Sequence, residues 1–270
     1  MSRDVWDPGQ YQAFADERSR PFFELAAQIR ASAPAQVTDL GCGSGELTLA
    51  LARRWPMAHI HGIDSSPEMI AAARRALAAE EPAAAGDEPG GVRFEVGDVA
   101  GWKPDTAMDV ILSNAVLQWV PGHRELLVGW VGALAPGGWL AFQVPGNFGQ
   151  PSHVILREIC ESARWRDRLG GVLRASVGEP AEYLRLLTGA GCRVNAWETT
   201  YAQQLPGADP VLEWVKGTAL RPVLTVLGEG SPDAAEFLAE YGARLRAAYP
   251  ATPSGTVFPF RRIFVVAWRE

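Results

Sequence analysis

The run VTDLGCGSGELT, Val37 to Thr48, decides how this chain folds. Val37 to Leu40 is an apolar stretch of strand length, and Leu47 to Trp55 puts Leu47, Ala50 and Leu51 on one helical face. Between them Gly41, Gly43 and Gly45 permit positive φ and close backbone approach. Strand, glycine turn and helix N-terminus together form a surface where a polar ligand can rest on main-chain N–H groups. A dinucleotide fingerprint would need its third small residue where Glu46 stands, and a carboxylate there would face a doubly charged pyrophosphate. Nicotinamide and flavin cofactors are disfavoured on that ground.

The flanking sequence repeats the strand and helix alternation. His59 to Ile63 reads as a second strand, and Asp64, nineteen residues after Gly45, stands at its end. A carboxylate there can accept from both ribose hydroxyls of a nucleoside. Ser65-Ser66-Pro67-Glu68 supplies a cap and a first-turn proline for a helix running to Ala79. Strands follow at Val92 to Val96, Asp109 to Leu112 and Trp139 to Val144, with a helix at Arg124 to Leu134. Gly97-Asp98 and SNAVLQWV, Ser113 to Val120, fall at carboxyl ends of strands, where open α/β sheets bind ligands. The expected class is α/β, a Rossmann-like sheet with helices on both faces. Before it, a helix is expected from Phe22 to Ile29, with Pro21 in its first turn. Glu80 to Gly91 reads as a solvated loop.

Beyond Asn147 the pattern changes. Helices are expected at Ser152 to Ser162 and Pro180 to Leu187, a strand at Arg193 to Tyr201, and a helical block at Asp209 to Tyr249. The closing run Ile263 to Trp268 is apolar throughout, as in a strand buried on both faces. If the strands around Trp197 and Val265 pair, the segment 206–255 is too long for a hairpin loop and reads as a helical cap inserted before the last strand.

Composition narrows the function classes. The 270 residues carry 25 Lys plus Arg against 31 Asp plus Glu, a net charge of −6, so broad attraction to nucleic acid or an anionic membrane is excluded. Cys42, Cys160 and Cys192 are odd in number and far apart, which fits neither a disulfide framework nor a metal site and suits a reducing cytoplasm. No signal-peptide core and no apolar run near the ~20 residues of a membrane span is present. Oligomeric state is not readable.

The constellation DLGCGSG, Asp64, Gly97-Asp98 and SNAVLQW resembles the class I S-adenosylmethionine-dependent methyltransferases from about Val37 to Pro145. That resemblance implies a seven-stranded sheet whose last strand is antiparallel, within a single domain spanning 1–270. It implies S-adenosyl-L-methionine as cofactor, with Asp39 to Gly45, Cys42 included, at its methionine part. Asp64 and the adjoining Ser65 would then meet the ribose, Asp98 and Val99 the adenine, and Ser113 and Asn114 would wall the sulfonium. The stretches Trp6 to Leu25, Gln143 to His153, Trp197 to Leu205 and Phe258 to Ala267 look more narrowly like those members that esterify a small tricarboxylate. The acidic Pro/Gly loop at Glu80 to Gly91 departs from that pattern.

A carboxylate with a pKa near 4 is already ionised at neutral pH, so no general base and no catalytic residue is expected. Alignment of oxygen, methyl carbon and sulfur, with exclusion of water, would carry the rate. A trianion on an acidic protein needs arginines, whose planar fork pairs with carboxylates. Candidates are Arg18 and Arg20 in the segment 1–32, which is expected to contribute to the site, with Arg221 in the cap and Arg261 beside Arg262. Arg261 and Arg262 should point to opposite faces of their strand, so one of them reaches a site. Trp6, Tyr11, Phe14 and Trp119 are candidate aromatic walls.

Blander roles stand beside these. Trp197 and Trp268 suit the core, His123 and His153 suit capping, His59 and His61 suit structure, and Cys42 lacks the neighbours of a nucleophile. Another small acid or a hydroxylated metabolite as acceptor, or cofactor binding without catalysis, remain open; a hydroxyl acceptor would require a base.

Overall fold

A computed structural model describes residues 15–80, 90–173 and 177–270, with side chains from residue 19 onward. Trp6, Tyr11, Phe14, the Arg18 side chain and most of the expected loop at Glu80 to Gly91 lie outside the described residues.

The chain forms two compact units, one made of residues 16–144, 177–199 and 263–270, the other chiefly of 145–173 and 200–262. In the first, helix α1 (Ala15–Ala27) precedes β1 (Gln36–Leu40), α2 (Glu46–Arg54), β2 (His59–Asp64), α3 (Pro67–Glu80), β3 (Gly91–Val96), β4 (Met108–Asn114), α4 (His123–Ala133) and β5 (Leu134–Pro145). Then come α5 (Pro151–Cys160), α6 (Arg166–Leu169), α7 (Pro180–Gly189) and β6 (Cys192–Leu205). The chain ends with α8 (Pro210–Lys216), α9 (Arg221–Leu227), α10 (Pro232–Ala248), β7 (Ala251–Thr252) and β8 (Gly255–Arg269).

The sheet runs β3-β2-β1-β4-β5-β8-β6, with the two-residue β7 paired antiparallel to β8. β1, β2, β3, β4 and β5 pair in parallel and the last strand is antiparallel, as the family resemblance implies. β1 lies between β2 and β4, so the chain order reverses there and a crevice opens at the carboxyl ends of those strands. Register places Leu40 beside Ile63, Asp39 beside Leu112 and Asp64 beside Val96, which brings the ends of β1, β2 and β3 together.

Burial explains the sheet. Val37, Leu40, Val110, Ile111, Leu112, Leu140, Phe142, Ile263 and Val265 are all completely buried, the mark of strands covered on both faces. Trp197 stacks on Phe264 with centroids 5.0 Å apart, and Trp139 on Trp268 at 5.3 Å, so both expected core tryptophans serve as packing surface. The second unit has its own core, in which Trp214, Phe258, Phe260, Phe237, Tyr241 and Leu220 are buried. Tyr241 Oη donates to the Ser152 carbonyl at 2.9 Å and Tyr249 Oη accepts from the Ser152 N–H at 3.1 Å, tying α10 to α5.

Three readings are corrected. The first helix already includes Ala15, so Pro21 sits inside it rather than in its first turn; the expected apolar face, Phe22, Leu25, Ala26 and Ile29, is nevertheless buried. At its end, Arg54 of α2 donates to the carbonyls of Ala26 and, two residues past the helix, Ile29, satisfying acceptors that the chain leaves open there. The block Asp209 to Tyr249 is three helices, broken at Gly217 and around Gly228, whose φ is +82°. The last strand begins at Gly255, eight residues earlier than Ile263, since Thr256, Phe258 and Phe260 alternate inward with an exposed Val257. Among the described residues no helix is long and apolar enough to cross a membrane.

Candidate cofactor site

The site is built on the turn between β1 and α2. Gly41, Gly43 and Gly45 have φ of +81°, +56° and +81°, a region that costs a side-chain-bearing residue about 1–2 kcal/mol. They differ in what surrounds them. A Cβ on Gly41 would stand 2.0 Å from Val116 Cγ2, and one on Gly45 would stand 2.7 Å from Ala73 Cβ and Phe94 Cζ. A Cβ on Gly43 would meet nothing within 4 Å. Two glycines therefore let the turn pack against β3, α3 and the segment after β4, while the middle one presents bare backbone to open space. That is a cradle a ligand can occupy.

Asp64 locks the turn in place. Its Oδ2 accepts from the Gly43 N–H at 2.9 Å and its Oδ1 from the Ser66 N–H at 2.9 Å. The Gly41 and Cys42 N–H groups donate to the Ile63 carbonyl at 2.7 and 3.0 Å. Each carboxylate oxygen keeps a lone pair for a ligand hydroxyl. Ser65 is exposed beside it, while Ser66 caps α3, its Oγ accepting from the Met69 N–H at 3.2 Å. Asp98 is exposed after β3, with Oδ1 held by the Ala100 N–H at 2.9 Å, and Val99 is buried beneath it. Ser113 is fully buried and donates to the Leu40 carbonyl at 2.8 Å, fastening the end of β4 to the end of β1.

Asp39 faces inward. It is 2% exposed, and Thr48 Oγ1 donates to its Oδ2 at 2.6 Å. Burial, relieved in part by Thr48 and reinforced by the nearby Asp64 charge, raises its pKa from 3.8 to about 6. Within that pH interval the folded protein holds a proton that the unfolded chain has released, so stability falls as pH rises and the loss is complete above it. At 1.36 kcal/mol per pKa unit the full loss is about 3 kcal/mol. Asp39→Asn keeps an acceptor for Thr48 and removes the buried charge. Urea unfolding should find it more stable than the wild type at pH 8, with the gap narrowing as pH falls through 6 and closing near pH 4; a gap independent of pH would mean another group carries the effect. Cys42 is likewise buried, and burial pushes its thiol pKa upward, away from nucleophilic chemistry.

After β4 the chain turns sharply. Ala115 has φ of +58°, the one described residue other than glycine with positive φ. Its N–H donates to the Gln143 carbonyl at 2.9 Å, and Gln118 Nε2 donates to its carbonyl at 2.6 Å. Trp119, on the same turn, is 40% exposed and belongs to the unit that holds the glycine turn.

Arg20 is exposed and paired with Glu24 at 2.8 Å. Arg221 heads α9 and lines a cavity of about 340 Å³ in the helical unit, together with Glu213, Lys216 and Glu229. Arg261 is half-buried, its N–H donating to Asn147 Oδ1 at 2.8 Å, whereas Arg262 on the opposite face is 6% exposed with its guanidinium 4.4 Å from the Phe260 ring centroid. His123 is buried and bonded through Nε2 to Tyr183 Oη at 2.8 Å, and burial lowers the His153 pKa to about 4. Thr48, Val116 and Phe94, which shape the turn, were not foreseen; Thr48 alone left a trace, as a polar residue on an apolar helical face.

A doubly wound sheet with this turn at its switch point sets the ligand crevice of an open α/β fold, and residues 37–138 match the family described as Methyltransferase domain, which makes the chain a methyltransferase. The solved YcgJ protein of Bacillus subtilis, 14% identical, shares the fold with a TM-score of 0.57 over 93% of this chain and 98% of that one. The particular family comes from closer relatives. Trans-aconitate 2-methyltransferase of Streptomyces avermitilis is 54% identical over 98% of this chain and 97% of its own length, and that of Streptomyces coelicolor is 52% identical over 97% and 86%. The chain belongs to the trans-aconitate 2-methyltransferase family.

Proposed function

We propose that the protein transfers a methyl group from S-adenosyl-L-methionine to one carboxylate of trans-aconitate, yielding a monomethyl ester and S-adenosylhomocysteine. The observation that carries the reading is the bare, positive-φ backbone of Gly43 above open space, braced by Asp64. When bound, the cofactor supplies a methyl group made electrophilic by a cationic sulfur. The Gly41 to Gly45 backbone would hold the methionine part, Asp64 the ribose hydroxyls, Asp98 the adenine amino group, and Ser113 and Asn114 would wall the sulfur. The transfer the cofactor would supply is a displacement in which the acceptor carboxylate oxygen would bond to the methyl carbon as the carbon–sulfur bond broke, with sulfur keeping the electron pair. Both partners lose charge, so the chain's contribution is to orient them and exclude water. No residue removes a proton.

For the acceptor, Arg221 and Arg261 are the favoured cations, with segment 206–255 as the acceptor-binding cap, Trp119 as an aromatic wall, and segment 1–32 adding contacts. A cytoplasmic setting suits three free, buried cysteines. Mass spectrometry of trans-aconitate, cis-aconitate, citrate and isocitrate incubated with enzyme and cofactor should find one added methyl group on trans-aconitate alone. Gain on another acid would shift the acceptor, and gain on none would remove the reading. In the same assay Arg221→Ala and Arg261→Ala should raise KM for the acid and leave the KM for the cofactor near its original value.

A further inference from the structure

The turn after β4 holds two buried oxygens that accept no hydrogen bond among the described residues. Gln118 is 9% exposed, and its orientation is fixed: Nε2 must face the Ala115 carbonyl, 2.6 Å away, because an oxygen there would repel it. Its Oε1 is buried and accepts no hydrogen bond among the described residues. Asn114 Oδ1, four residues earlier and at the end of β4, is buried and equally without a donor. The intervening Ala115 is held at φ of +58°. A buried acceptor is costly to leave unpaired, and backbone strain of this kind persists where the surrounding structure imposes it. Two such oxygens on one strained turn are suited to a group that brings positive charge or donors.

We infer that Gln118 is a cofactor-binding residue whose Oε1, with Asn114 Oδ1, receives a cationic group of S-adenosylmethionine. The inference rests on the cofactor reading above. An anionic acceptor cannot fill this role, since a carboxylate offers only lone pairs to oxygens that already have them. The cofactor offers two cations, its sulfonium and its ammonium, while its ribose and adenine donors have Asp64 and Asp98.

Titration calorimetry on the full chain separates these sources. Gln118→Met, near in volume and without the oxygen, should bind S-adenosylmethionine about ten- to a hundredfold more weakly, the range for losing a hydrogen bond to a charged group. S-adenosylhomocysteine keeps the ammonium and lacks the sulfonium, so an equal loss for both ligands assigns the ammonium, and a loss confined to S-adenosylmethionine assigns the sulfonium. 5′-Methylthioadenosine lacks both cations and should bind wild type and variant alike. Equal loss for all three ligands would mean that Gln118 only holds the fold, and unchanged affinity for all would show that no cation rests there; either overturns the inference. Gln118→Glu, which retains an oxygen, should recover part of the affinity for the cationic ligands, and failure to do so in a folded variant also counts against it. If the wild type binds none of the three, the cofactor reading itself fails.

Discussion

Gly43→Ala should give a folded protein that has lost its cofactor site, and Gly41→Ala a protein that has lost stability as well. Both positions have positive φ, so each alanine costs about 1–2 kcal/mol of folding free energy before any contact is counted. At Gly43 that is the whole structural cost, because the added methyl enters empty space. At Gly41 the methyl would lie 2.0 Å from Val116 Cγ2, and forcing the two apart adds about 1–3 kcal/mol of overpacking. Urea denaturation should therefore rank Gly41→Ala clearly below Gly43→Ala. Calorimetry with S-adenosylhomocysteine should invert the usual expectation that the milder structural change has the milder effect. The Gly43 methyl occupies the space over the bare backbone, so binding should fall steeply, and kcat/KM on the order of a hundredfold, the scale of an ångström's misplacement. A Gly43→Ala protein that binds the cofactor as the wild type does would place the ligand elsewhere.

What the sequence made legible follows from where local rules act alone. The glycine turn and Asp64 could be read because each requirement is local: positive φ demands glycine, and a carboxylate at a strand end needs only its own strand to be placed. The fate of Asp39 was not readable that way. It stands in the same run, yet its side chain turns inward to Thr48, a partnership set by how α2 lies on β1. Pro21 shows the same limit. A proline is commonest at a helix start, yet here it lies inside a helix whose Phe22, Leu25 and Ala26 are buried, and tertiary packing outweighs the local preference. Likewise Pro259 hid the first half of β8, since proline weakens a strand reading, although the alternation of Thr256, Phe258 and Phe260 was present in the sequence. The arginines were least readable, because a guanidinium on a long stem declares its partner only in three dimensions.

Asp64→Asn should weaken S-adenosylhomocysteine binding more than it weakens the fold. In the folded chain each Asp64 oxygen already accepts one backbone N–H, from Gly43 and from Ser66, both at 2.9 Å. An amide can keep only one of these, and its NH2 group must face the other donor. Losing one hydrogen bond to a charged group costs about 1.5–3 kcal/mol, which thermal unfolding of the free protein would register. Binding bears that cost again through the displaced Gly43 backbone, and adds the loss of the charged acceptor for the ribose hydroxyls, so affinity should drop on the order of a hundredfold or more. Asp64→Glu separates the two contributions. It preserves the charge but extends the carboxylate by a methylene, so it cannot reach both backbone donors from the same place, and it should fail in binding nearly as badly. If either variant loses affinity only in proportion to its loss of stability, Asp64 serves the turn alone and the ribose is held by something else. If Asp64→Glu restores full affinity, charge rather than geometry is what the site requires, and the two-donor lock on Gly43 and Ser66 is incidental to binding.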